Sequence, residues 1–373
     1  MPTLYDIAHY VAWNGYAEDM VPYLGVDKAA LENQEFNFPY IVNFRHGEHK
    51  KTRIQRICEK MTNNPRYPKR IKKLLELGAK PLPDANGWSA LLECSRNPWK
   101  QYREIAEILI DAGADINQLS DGWTPLYLAS YNNNIPIVNL LLSKGADINI
   151  GPRSPLSAAV TMGNLEIVKI LISKGALVTD TIYKEAIYAG QIAVIKYLGT
   201  IRPVPADSIA YAMEHNVSTV LILAKLGADV NYVVNGETLV EKYIWSDDLK
   251  ILLKAGADPN RTARNVSPPI FNAIYVNNLE ILKLLCEKGN VNMLYDDGDY
   301  LRTPLHLAIS LNALHKAENA REYMEILKFL IKKSDLTIKD WSGDTALEAA
   351  RYRKIDDVVM MITRALLKGK RRS

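Results

Sequence analysis

Six histidines, three cysteines and several paired acids are the residues of this 373-residue chain whose types could carry acid–base, nucleophilic or metal chemistry. Only His46 and His49, in His46-Gly47-Glu48-His49, lie close together. A helical zinc site of the protease kind needs His-Glu-x-x-His, which sets both imidazoles on one helix face, and then a further ligand. The pair here has the wrong spacing, no third ligand nearby and a basic setting, so it reads as a solvated loop and no metal is expected. His9, His215, His306 and His315 stand singly. Cys58, Cys94 and Cys286 show no paired spacing, which points to a reducing compartment without a disulfide framework. None has a histidine partner that the sequence can support as an activating base. Asp247-Asp248, Asp296-Asp297 and Asp356-Asp357 read as turn or helix-start acids that favour the helix dipole. No glycine-rich phosphate loop is present. These residues supply no catalytic constellation, so the chain is expected to be non-enzymatic and without a cofactor. An enzyme would need a site hidden within residues 26–65.

Charge is the next candidate for function. The formal net charge is +4, but residues 45–75 hold eleven Lys/Arg and two acids, while residues 361–373 add five basic residues and no acid. The remainder carries 30 basic and 40 acidic residues, so an acidic body is flanked by two basic zones. Lys69, Arg70, Lys72 and Lys73 in the first zone could bind nucleic acid or an anionic membrane surface. The competing reading is a solvated helix face or one that docks on the acidic body, and no nucleic-acid-binding motif accompanies them. Lys368-Gly369-Lys370-Arg371-Arg372 has the composition of a nuclear targeting signal or of a polar end-cap. The N-terminus lacks the pattern of a secretory signal, and no apolar run approaches the ~18 residues that a membrane span needs. A cytoplasmic monomer is expected, with nuclear entry through the basic tail as the alternative.

The elements that position these residues repeat. Thr124-Pro125-Leu126-Tyr127-Leu128-Ala129 opens one unit, Ile137-Val138-Asn139-Leu140-Leu141-Leu142 forms its middle, and Gly145-Ala146-Asp147-Ile148-Asn149 closes it. Thr124 can cap a helix, Pro125 suits its first position, and Gly145 can take the left-handed conformation that ends the second helix. Closing motifs recur at Gly78, Gly113, Gly145, Gly175, Gly227, Gly256 and Gly289, with spacings of 35, 32, 30, 52, 29 and 33. Two compact copies fit the 52-residue step, Thr181 to Leu198 and Asp207 to Gly227. One unit cannot bury its own apolar face, so the copies must stack.

On the Thr-Pro-Leu openings and Gly-Ala-Asp-Ile-Asn endings, the chain resembles the ankyrin repeat family over nearly its whole length, as ten or eleven repeats. The resemblance implies an all-α solenoid of stacked helix–turn–helix units joined by hairpin-like loops. The expected organisation is a degenerate N-terminal capping repeat at 1–25 and a diverged basic repeat with an insertion at 26–80. The repeat array follows at 81–339, and a C-terminal capping repeat with a basic tail spans 340–373. His306 sits where ankyrin repeats usually carry a structural histidine. Asn292 to Leu301 predicts a longer hairpin finger.

In an ankyrin stack, as the resemblance implies, hairpin tips and first helices line a concave groove. Register identifies the residues on that side. Trp88 and Trp123 precede the opening Ser or Thr, Tyr127 lies three residues after it, Tyr131, Tyr188 and Trp245 lie seven after it, and Tyr275 lies seven after Pro268, which opens its repeat. Tyr and Trp often dominate interface energetics, at roughly 2 kcal/mol or more for a hot spot. The same rings could instead cover the core, Trp88 and Trp123 above all. Trp341 falls outside the slot and is not a candidate. The expected function is therefore a protein-interaction scaffold or adaptor that holds one or more partner proteins in the groove. The resemblance extends to viral, intracellular-pathogen and cytosolic ankyrin adaptors. Some viral ones add an F-box-like end, but residues 340–367 still read as a repeat. The resemblance also makes Asn117, Asn149, Asn231, Asn260 and Asn292 candidates for asparaginyl hydroxylation.

Overall fold

The repeat opened by Thr124 shows why each unit folds as a helix pair. Thr124 has an extended backbone, and its hydroxyl accepts the Tyr127 N–H at 3.1 Å, so it caps the helix that Pro125 begins. That helix ends at Tyr131, and Asn133 takes a left-handed φ of 55° to reverse the chain. The second helix, Ile135–Ser143, is closed by Gly145 at φ 87°, where the Ala146 N–H reaches back to the Leu141 carbonyl at 2.9 Å. Leu126, Leu128, Ala129, Ile137, Val138 and Leu141 are buried between this pair and its neighbours.

The computed structural model describes residues 53–59, 66–76, 78–84, 86–263, 267–296, 298, 300–314 and 320–369. They fall into two compact units that divide between Leu198 and Gly199. The capping repeat of residues 1–25, the His46–His49 loop and the tail beyond residue 369 lie outside the described residues.

The first unit contains α1 (Arg53–Glu59), α2 (Arg66–Glu76), α3 (Ala90–Arg96), α4 (Lys100–Asp111), α5 (Pro125–Tyr131), α6 (Ile135–Ser143), α7 (Pro155–Met162), α8 (Leu165–Ser173) and α9 (Asp180–Tyr188), and the division falls within α10 (Ile192–Ile201). The first helices α1, α3, α5, α7 and α9 pack in sequence as one layer, and the second helices α2, α4, α6 and α8 form the other.

The second unit continues with α11 (Ser208–His215), a 3-10 turn at Val217–Thr219, α12 (Val220–Lys225), α13 (Leu239–Lys242), α14 (Leu249–Ala255), α15 (Pro269–Tyr275), α16 (Leu279–Leu285), α17 (Pro304–Leu314), α18 (Ala320–Lys333), α19 (Ala346–Tyr352) and α20 (Asp356–Gly369). Two antiparallel hairpins interrupt it, β1 (Val233–Val234) with β2 (Glu237–Thr238) and β3 (Tyr295–Asp296) with β4 (Leu301–Arg302). Each unit is thus an all-α stack of helix pairs, the architecture that the repeat resemblance implies. The 52-residue glycine step holds the pairs α9–α10 and α11–α12. The expected finger is the β3–β4 hairpin, so Asp296 lies in a strand, not a turn.

Both ends of the array bear the same logic. Thr345 and Glu348 form a reciprocal capping box at α19, which makes Asp340–Gly369 a complete helix pair. At the front, Ile54, Cys58 and Ile71 are buried, and the Tyr102 hydroxyl donates to the Cys58 carbonyl at 2.8 Å.

His306 is structural. Its Nε2 lies 3.2 Å from the Asp344 carbonyl, which can only accept, so Nε2 carries the proton and Nδ1 accepts the Thr303 hydroxyl at 2.7 Å. The imidazole thereby ties α17 to the loop before α19. Burial, the largest influence, lowers its pKa from the usual 6.5. Because the folded value lies below the unfolded one, its stabilisation is complete above about pH 6.5 and is lost as the pH falls through the lowered folded value. The melting temperature of the chain is expected to fall between about pH 7 and about pH 5, and less so in His306→Leu. Equal acid sensitivity of both proteins in a thermal scan would exclude this role.

Candidate protein-binding surface

In the first unit the folding of neighbouring repeats brings four of the sequence-selected rings together. Asp84 fixes the loop before α3 by accepting the Asn86 and Trp88 backbone N–H groups at 2.9 Å each. Gln55 of α1 donates to the Trp88 carbonyl. Ser120 and Trp123 pair their backbones across the next hairpin tip, at 2.8 and 3.1 Å. Gln118 and Ser120 then donate to the Gly87 and Asn86 carbonyls, at 2.6 and 3.2 Å, which sets the two tips side by side. The rings follow in a row. Trp88 meets Trp123 edge-on at 6.4 Å, Trp123 meets Tyr127 at 6.0 Å, and Tyr127 stacks on Tyr131 at 6.3 Å with 17° between planes. Such pairs add about 0.5–1.5 kcal/mol beyond burial, so the row is a preformed surface.

Two guanidinium groups edge it. Arg96 lies over Trp88 at 5.9 Å, and Arg153, from the following hairpin, lies over Trp123 at 5.6 Å. The buried Glu93 carboxylate accepts from Arg96 at 3.1 Å, from Asn97 Nδ2 at 2.9 Å and from the Trp88 indole N–H at 3.4 Å. It therefore orients Trp88 and neutralises Arg96.

A ladder of side-chain amides fixes the far end of the row. Asn134 Nδ2 donates to the Asn97 carbonyl at 2.7 Å and to the Ser95 carbonyl at 3.4 Å. Asn164 Nδ2 donates to Ser130 and Tyr131 at 2.8 and 3.2 Å, and Gln191 Nε2 donates to Thr161 at 3.0 Å. Each amide satisfies carbonyls at the end of the preceding repeat's first helix, where the slot residue sits. Tyr131 is held this way and remains 42% exposed. Tyr188, at the end of α9, is 64% exposed.

Trp245 and Tyr275 belong to the second unit. Trp245 is exposed but does not lie on a first helix, as its slot predicted. Glu241 closes a capping box with Thr238 and also accepts the Ala263 N–H at 3.1 Å, and α13 stops at Lys242. Trp245 follows in a turn, where the Ser246 N–H donates to the Tyr243 carbonyl. Tyr275 ends α15 as expected. Its carbonyl accepts the Tyr323 hydroxyl at 3.1 Å, and its own hydroxyl accepts from Arg302 at 3.5 Å. Arg302 lies over Tyr300 at 5.3 Å, and Tyr300 packs on Trp341 at 5.3 Å. Tyr300 and Trp341, which the sequence slots passed over, thus join Tyr275 in a second aromatic–arginine patch. The finger insertion that carries Tyr300 was the signal for it.

The basic zone is simpler. Lys69, Lys72 and Lys73 are exposed on α2, Arg70 is half-buried, and Lys73 faces Glu76 at 3.6 Å. Four of the five asparagines before the hairpins are engaged across repeats, and the Asn149 N–H donates locally to Asp147 Oδ1 at 2.8 Å. Asn117, Asn231, Asn260 and Asn292 accept the backbone N–H of Asp147, Asp258, Asn290 and Asp335 through Oδ1, at 2.7–2.9 Å. Cys94 is core, with its thiol raised by burial and by the adjacent Cys58, and burial pushes the Cys286 thiol up to about 12. Among the described residues no three of His, Cys, Asp and Glu gather where they could hold a metal ion, and no helix is long and apolar enough to cross a membrane.

The sequence matches the family description "Ankyrin repeats (3 copies)" over residues 58–152 and 242–318, and "Ankyrin repeat" over 153–181 and 300–341. Together these cover more than half of the chain. It is similar to the ankyrin repeat and KH domain-containing protein mask-1 of Caenorhabditis elegans, 30% identical over 264 residues, which are 66% of this chain and 9% of that protein. It is also similar to the BRCA1-associated RING domain protein 1 of the same organism, 40% identical over 257 residues, which are 66% of this chain and 29% of that protein. The chain therefore spans under a third of either relative. Among solved structures, the human ASB11 ankyrin repeat domain aligns with a TM-score of 0.48 and 21% identity, covering 56% of this chain and 100% of that one.

Proposed function

Since the chain belongs to the ankyrin repeat family, whose repeats are in general protein–protein interaction modules, we propose that it is an adaptor that binds a partner protein through the aromatic row of its first unit. The observation that carries this reading is the row itself. Trp88, Trp123, Tyr127 and Tyr131 touch in succession, yet the Tyr131 end stays open to solvent. A ring that served only the core would be covered. Rigid aromatic side chains already held by their neighbours lose little conformational freedom when a partner covers them. Tyr188, Trp245 and the Tyr275–Tyr300–Trp341 patch are further contact candidates on the same ground of exposure. Three exposed lysines on α2 support the polyanion alternative less well, because solvated lysines are common on any helix. The lack of paired cysteine spacing supports a cytoplasmic setting.

The test is capture of partners from the native cell by the tagged full chain and by Trp123→Ala/Tyr127→Ala/Tyr131→Ala. Each hot-spot ring is worth roughly 2 kcal/mol, so the variant is expected to lose its partners while its circular dichroism stays helical. Undiminished recovery by a folded variant would end the assignment to this row.

A further inference from the structure

The two guanidiniums over the row differ in a way that bears on what binds there. Arg96 is neutralised by Glu93 at 3.1 Å. Arg153 is exposed, lies over Trp123 and pairs with no carboxylate of the described residues. It nonetheless has close neighbours. Gly122, at φ 82°, brings its backbone under the hairpin tip of the next repeat, so that a Cβ there would meet Pro152 at 3.2 Å and the Arg153 Nε at 3.7 Å. The Trp123 indole on one side and the Gly122 backbone on another border the guanidinium. A planar, oriented guanidinium can offer two parallel N–H groups to a carboxylate, and one stacked on a ring loses little freedom in doing so.

We propose that Arg153 is a specificity-determining residue of this surface, and that its occupant is a partner segment in which an aspartate or glutamate is flanked by apolar side chains. The carboxylate pairs with Arg153, and the apolar neighbours cover Trp123, Tyr127 and Tyr131. The inference rests on the proposed role of the row and adds the charge and pattern of what the row reads. Lysine at the acidic position would face the guanidinium as a like charge, so the site discriminates by repulsion as well as attraction.

The experiment uses an array of random twelve-residue peptides probed with the purified full chain, with Arg153→Glu, and with Trp123→Ala/Tyr127→Ala/Tyr131→Ala. Wild-type protein is expected to select peptides enriched in Asp or Glu beside apolar residues, and Arg153→Glu to select Lys or Arg in their place. In fluorescence polarisation with the best acidic peptide, Arg153→Ala is expected to weaken binding roughly threefold to fivefold, as for an exposed ion pair. That difference should shrink at high salt. Selected peptides without acidic enrichment, an unchanged preference in Arg153→Glu, or no peptide bound at all would overturn the inference. If the ring variant loses binding while Arg153→Glu changes nothing, the aromatic row stands and only the role of Arg153 falls. If the ring variant binds the same peptides as tightly as wild type, both fall.

Discussion

Phe271→Ala is expected to destabilise the second unit by about 3–5 kcal/mol, the cost of deleting a buried aromatic ring together with the cavity that it leaves. Phe271 is fully buried in α15, and its ring lies 5.2 Å from Tyr295 in the β3–β4 hairpin. It therefore supports both the core of its own repeat and the base of the finger. A stack holds together by contacts between adjacent repeats, so loss at this seam weakens the coupling of the repeats on either side. The urea midpoint should drop, and the transition should broaden as cooperativity fails. Phe271→Leu, which keeps most of the volume, should cost less than half as much. A midpoint for Phe271→Ala within error of wild type would show that the ring is not a seam residue.

Asn134→Leu is expected to cost the first unit roughly 2–4 kcal/mol, although leucine has the same branched side-chain skeleton as asparagine and is more apolar. Asn134 is buried and sits in the turn between α5 and α6. Its amide supplies donors to the Asn97 and Ser95 carbonyls at the end of α3, and its Oδ1 caps α6 by accepting the Ile137 N–H at 3.4 Å. Leucine would leave those carbonyls without that donor inside a closed seam, at about 1–3 kcal/mol for each group stranded. Asn134→Ala should lose about as much, since the loss comes from the amide and not from volume. Hydrogen exchange should accelerate in α3 and α5 together. Stability within about 0.5 kcal/mol of wild type, the range of ordinary surface changes, would count against the bridge.

The helix pairs were legible because their signals are local and recur. Thr124, Thr238 and Thr345 each cap the helix that follows, and Gly113, Gly145 and Gly175 each close one at positive φ. The four rings of the first unit were legible for the same reason, since repeat register alone places Trp88, Trp123, Tyr127 and Tyr131 on one side. What register could not show are contacts made between repeats by residues outside the repeating slots. Arg153 reaches Trp123 from the next hairpin, and Trp341 meets Tyr300 at the end of an insertion. Asn134 reads as an ordinary turn residue, because its donors act on carbonyls of another repeat. Trp245 lies in the turn after the short α13, because the periodic count carries no signal for a helix that stops at Lys242.

The asparagine seam on the hairpin side has a consequence for how such a chain can change over generations. Asn117, Asn231, Asn260 and Asn292 each fasten to the following repeat through a main-chain N–H, borne in turn by aspartate, aspartate, asparagine and aspartate. Every residue except proline has that group. The joint therefore asks nothing of the newcomer's side chain. A whole repeat can be duplicated, lost or exchanged by recombination and still find its fastening, while the exposed slots drift toward new partners.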